Sequence, residues 1–257
     1  MLALLTLTIA LFVRRQTWRV RWEPSATAAL ALLLVGMALL TRAATDTVGK
    51  VLHHMTGHWH IEDFVGHVII LAALASFTYY VLQRLADDEY LGYAFKQWVE
   101  YPFTVIIPLM LFAFVASDAS AHYSDTLSTA PDDGWLQVYR ALYYGASIYL
   151  VGYGMRVLLL LRRQAHGSRS VIDLSLLAAA LTQAQRVLRF IATAPRHDLQ
   201  PLAETAQLLE TGAMCVMAVG LTVSWCLKMR PYKGLPQTVR GKVGPPPREP
   251  EAPAATA

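Results

Sequence analysis

Five of the eight histidines fall within fifteen residues: His53, His54, His58, His60 and His67. Neutral imidazole and carboxylate are ligands of zinc and copper sites, and the same stretch offers Glu62 and Asp63. His54 and His58 stand at i, i+4, the spacing that puts two ligands on one helical face. Gly57 lies between them, however, and should end that helix. His58 and His60 form a His-x-His pair. His54, His58 and His60 are therefore the candidate ligands for zinc or copper, with His122 and His197 available to complete a site. The spacing matches no strong zinc signature, and the competing reading is a set of solvated or headgroup-facing histidines. His67 enters an apolar run, but no second run carries a buried histidine to make a bis-histidine haem site.

The second group is Arg186, Arg189 and Glu210, all inside apolar segments, with Gln183, Gln185 and Glu204 nearby. A charge facing lipid unpaired is costly, so an Arg186–Glu210 or Arg189–Glu210 pair is expected. Such a pair would dock two helices, or would line a polar cavity for an anionic ligand. Asp173 is explained by a capping box opening at Ser170. Tyr139, Tyr143, Tyr144, Tyr149 and Tyr153 could line a pocket, although packing and interfacial anchoring explain them more cheaply. No nucleophile elbow, phosphate-binding loop, His-Glu-x-x-His or paired-cysteine motif occurs. Cys215 and Cys226 lie about 16 Å apart along one helix, beyond disulfide reach.

These residues sit in a chain of 257 residues that is 55% hydrophobic and 16% charged, against about 25% charged in soluble domains. The pattern predicts an all-α fold, a polytopic transmembrane helix bundle of about seven spans over 1–230. The first run, Leu2 to Val13, is short and followed by Arg14, Arg15, Arg19 and Arg21, the order of a reverse anchor rather than a cleaved signal. The others are expected near 26–40, 64–82 (capped by Asp63), 102–116 (with Pro108 inside), 136–161, 171–192 and 202–227. Fifteen Lys and Arg fall in the segments this assigns to the inside and three in those outside, so the N-terminus is expected out and the C-terminus in. The stretches 46–56 and 87–101 read as amphipathic helices lying on the surface, the second capped by Asp87 or Asp88. From Pro231 the chain carries seven prolines, and 231–257 is expected to be a disordered basic cytoplasmic tail.

The net charge of +4 comes from basic residues at span ends. It points to anionic lipid at the cytoplasmic face and not to nucleic acid. A protein partner or a homo-oligomer is compatible with the same face.

The order Asp46, Thr56-Gly57, Glu62-Asp63-Phe64 and Gly66-His67 entering a long apolar run resembles an uncharacterised class of actinobacterial multi-span membrane proteins. Arg162-Arg163 and the Ala/Leu-rich run 171–193 are in the same style. The resemblance implies a bacterial plasma-membrane protein of regulatory type and supplies no catalytic residues. That family's members usually continue into a cytosolic C-terminal domain, where this sequence has its Pro-rich tail. The leading expectation is a non-enzymatic sensory or regulatory protein. The alternatives are a small-solute or ion transporter, a metal-binding membrane enzyme, and a subunit of a larger membrane complex.

Overall fold

The computed structural model describes residues 2–15, 17, 23–85, 88–127, 129–130, 133–164, 169–192 and 200–229. Arg19, Arg21, Asp87, His197 and the tail 231–257 lie outside the described residues. Among the described residues the fold is all helix. We number the helices α1 (Leu2–Val13), α2 (Pro24–Leu39), α3 (Arg42–Thr56), α4 (Ile61–Leu82), α5 (Glu89–Val115), α6 (Gly134–Gln164), α7 (Arg169–Ala192) and α8 (Gln200–Met229). Five of them, α4 to α8, are long and apolar enough to cross a membrane. Helices α2 and α3 meet that test only as a pair bent by 68°, and α1 is a shorter apolar helix.

The packing closes a ring. Helix α1 lies on α2, α2 on α4, α4 on α6, α6 on α7, α7 on α8, and α8 returns to α1. Helix α5 sits outside the ring against α6. The α2–α4 contact is tight because two glycines face each other. A Cβ on Gly36 would stand 2.7 Å from Ile70 and 3.0 Å from the Gly66 carbonyl. Small residues let helix backbones approach where lipid offers no hydrophobic drive to association.

The stretch expected as a surface helix at 87–101 instead continues into the following apolar run as one helix. Pro102 should have broken it, since proline leaves the carbonyl four residues back without its donor and crowds it. Two features absorb the defect. A π-turn over Lys96–Glu100 widens the helix just before the proline. The freed carbonyl of Trp98 then accepts a hydrogen bond from Tyr149 Oη of α6 at 2.7 Å.

Two expected caps also differ. Helix α4 starts at Ile61, so Asp63 lies in its first turn and not at its cap. Helix α7 starts at Arg169, so Ser170 is already inside it. Asp173 there meets Arg162 of α6 at 2.6 Å. Helix α3 ends as expected, with Gly57 left-handed and its N–H donating to His53 O.

Candidate functional site

The ring encloses a polar cavity at one end, with a volume of about 410 Å³. It is walled by the start of α1, the end of α2, the first turns of α4, the upper part of α6, the last turns of α7 and the first part of α8. Three guanidinium groups line it, those of Arg140, Arg186 and Arg189, against the two carboxylates of Asp63 and Glu210.

The expected pair forms here. Arg189 donates to Glu210 Oε2 at 3.2 Å, and Arg186 stands 4.0 Å from Glu210 Oε1. One carboxylate thus serves two arginines, and donors are left over. Nε of Arg186 and Nε of Arg189 are buried without a hydrogen-bond partner. Arg186 is 3% exposed and lies over the Tyr143 ring, 5.0 Å from its centroid. Tyr143 also packs on His67, with centroids 4.0 Å apart, and His67 Nδ1 bonds Tyr139 Oη at 2.7 Å. Tyr139, Tyr143 and Tyr144 therefore line the cavity, while Tyr149 and Tyr153 lie lower on α6 and do not.

The segment 117–127 folds over this end. Asp63 Oδ2 accepts from Leu127 N at 2.9 Å, and Arg140 Nη2 donates to Leu127 O at 3.1 Å. Trp59 N donates to Ser120 O, and Arg42 pairs with Asp125 at 3.2 Å. Asp63 is thereby tied to the loop and to His60, leaving Glu210 as the carboxylate that faces the arginines.

The histidines do not gather as expected. His54 is exposed on α3, and His58 is half-buried in the turn after it. His53 stacks on Trp59 at 3.8 Å. His60 is fully buried and meets two carboxylates: its Nδ1 is 3.3 Å from Asp63 Oδ2 and 3.9 Å from Glu62 Oε1. Among the described residues, His60, Glu62 and Asp63 are the group whose ligand atoms come together, all within 4.8 Å of one another. The link between α3 and α4 explains this. His60 adopts a left-handed backbone, φ 61°, which turns its ring toward the first turn of α4 and away from His54 and His58. Nothing in the local spacing announces that turn, since positive φ is uncommon for a residue other than glycine.

A second charged cluster sits at the opposite end of the ring, and the sequence pattern gave it no special standing. Arg14, counted there as a topology marker, is fully buried with Glu23, at 2.8 Å. Its Nη1 donates to the Leu221 carbonyl of α8 at 2.5 Å, and Thr27 Oγ1 lies 3.4 Å from Nε. Arg84 reaches the other Glu23 oxygen at 3.5 Å and donates to Tyr80 Oη. The available signal was a lone glutamate between an arginine-rich segment and Pro24.

Comparison of the chain with family models, with curated proteins and with solved structures returned no match, so the functional reading rests on the geometry of the site.

Proposed function

We propose that this is a non-enzymatic sensory or regulatory membrane protein that binds a small carboxylate or phosphate anion in the cavity between α4, α6, α7 and α8. The observation that carries this is Arg186, a buried guanidinium with an unused donor, sharing one carboxylate with Arg189 at the wall of a cavity. Buried polar groups are as a rule paired. A carboxylate or phosphate ligand would supply acceptors in the paired geometry that guanidinium favours. The volume is in the range of small-molecule sites. The fully buried Arg14–Glu23 pair at the opposite end favours binding over passage.

In this reading the chain crosses a bacterial plasma membrane seven times, with α1 and the bent α2–α3 unit joining the five long helices. The positive-inside count puts the N-terminus and the cavity mouth outside. The basic cytoplasmic face and tail then meet anionic lipid and a protein partner, which would receive the signal. The test is calorimetric titration of the protein in nanodiscs with succinate, citrate and inorganic phosphate. Saturable binding of one of them, lost in Arg186→Gln, supports the reading; no binding by any of the three counts against it.

Transport is the second reading, favoured by ionisable groups placed within helices long enough to span. Flux of the bound anion into proteoliposomes, with Glu210→Gln as control, separates the two. Uptake that depends on Glu210 would make the protein a carrier.

A further inference from the structure

With His60 neutral and both carboxylates ionised, the polar groups around His60 cannot all be satisfied by the protein alone. Ser124 Oγ donates its single proton to the Thr126 carbonyl at 2.9 Å, an atom that can only accept. In the Ser124 contact with His60 Nε2, also 2.9 Å, the ring is therefore the donor. A neutral imidazole protonated at Nε2 turns the bare lone pair of Nδ1 toward Asp63 Oδ2 and Glu62 Oε1. His60 Nδ1 and both Glu62 oxygens lack a hydrogen bond of good geometry, the Thr45 hydroxyl and the Glu62 N–H being only weak donors to that carboxylate. His60 and Glu62 are 0% exposed and Asp63 is 2% exposed. Acceptors facing one another away from water repel, and their desolvation goes uncompensated. A positive charge between them removes the conflict.

We propose that His60, Glu62 and Asp63 bind a divalent transition-metal ion of the zinc class. Nδ1 and one oxygen of each carboxylate supply three ligands, leaving a fourth position for water or a further ligand. A dication and two carboxylates sum to zero charge, which suits a buried site. The set lacks thiolate, so it does not select monovalent copper. The Nε2–H bond to Ser124 is the outer hydrogen bond that a metal-bound histidine makes, and it fixes the tautomer that presents Nδ1. Ligand atoms up to 4.8 Å apart must draw in by up to about 1.2–1.5 Å to reach the edges of a tetrahedron with bonds of about 2.0–2.2 Å. The fold leaves room on the far side of Glu62 only because residue 49 is glycine. A Cβ there would stand 2.7 to 2.9 Å from the Glu62 carboxylate atoms.

This site is separate from the anion cavity in everything but Asp63, which lines both, so either can fail without the other. The test uses the full chain, purified through a tag without histidines and stripped with a chelator. Zn²⁺ alone is titrated against a chromophoric competitor, and bound metal is counted after desalting. The expected result is one zinc per chain, retained in a His54→Ala/His58→Ala double variant and lost in Glu62→Gln. Ser124→Ala, which removes only the outer hydrogen bond, should weaken affinity by about 10- to 100-fold. Loss of zinc in the double variant would place binding on the other histidines and overturn the proposal. So would the absence of stoichiometric zinc in the unaltered protein; the positive charge between the acceptors would then be a second ring proton. Should Glu62→Gln fail to fold, the double variant and Ser124→Ala still decide the matter.

Discussion

The two ends of the helix ring each hold arginines around one glutamate, and they use it differently. At the Glu23 end, that carboxylate offers one oxygen to Arg14 and the other to Arg84. The remaining donors of Arg14 find a backbone carbonyl and a threonine hydroxyl. Arg14 and Glu23 are both fully buried. At the open end, Glu210 also meets two arginines, but Nε of each is left without a partner and a cavity of about 410 Å³ adjoins them. The same residue types therefore make a structural clamp where no buried donor nitrogen lacks a partner among the described residues, and a receptive surface where some do. Satisfaction of hydrogen bonds, more than charge count, separates the two roles.

The sharpest way to break this comparison is to remove the same carboxylate at each end. Glu23→Gln leaves Arg14 buried without its counter-charge, and loss of one partner of a buried pair is destabilising by about 3–5 kcal/mol. Thermal unfolding in detergent should show a large drop in midpoint, or the variant should fail to accumulate. A small effect would mean that the Glu23 cluster is not a clamp. Next in size, Arg186→Lys keeps the charge but removes the planar fork. Affinity for whichever probe anion binds should fall about tenfold, or about 1.4 kcal/mol, with the unfolding midpoint little changed. Glu210→Gln should cost less than half of what Glu23→Gln does, about 1 kcal/mol, because Glu210 and Arg189 are part-exposed and their pair is screened by solvent, whereas Arg14 and Glu23 are fully buried. Equal losses at the two ends would erase the distinction. Smallest, Tyr139→Phe removes the bond to His67 and should destabilise by about 0.5–1 kcal/mol, read from the same unfolding curves.

Much of the helical layout was legible because apolar runs of span length declare themselves. The runs at 64–82, 136–161, 171–192 and 202–227 all fall inside α4, α6, α7 and α8. The juxtaposition of Arg186 and Arg189 with Glu210 could be anticipated because an unpaired charge in an apolar helix demands a partner. Three things were hidden for identifiable reasons. The continuity of α5 depends on a hydroxyl from α6 rescuing the Trp98 carbonyl, a tertiary contact that Pro102 alone does not reveal. The grouping of His60 with Glu62 and Asp63 depends on one residue in a left-handed conformation. The burial of Arg14 depends on a carbonyl of α8, far away in sequence, so local charge counting could register the arginine only as a surface signal.

That last contact also sets an order of events during synthesis. Helix α1 emerges early, yet the Leu221 carbonyl that receives a donor of Arg14 lies 207 residues later. The α1–α8 seam is the one that closes the ring, so until α8 has emerged Arg14 lacks one of its acceptors and the cavity lacks a wall. Pairings this remote in sequence form late. A nascent chain stalled before α8 would present an incompletely satisfied arginine and an open seam, features by which a quality-control protease could tell an unfinished molecule from a finished one.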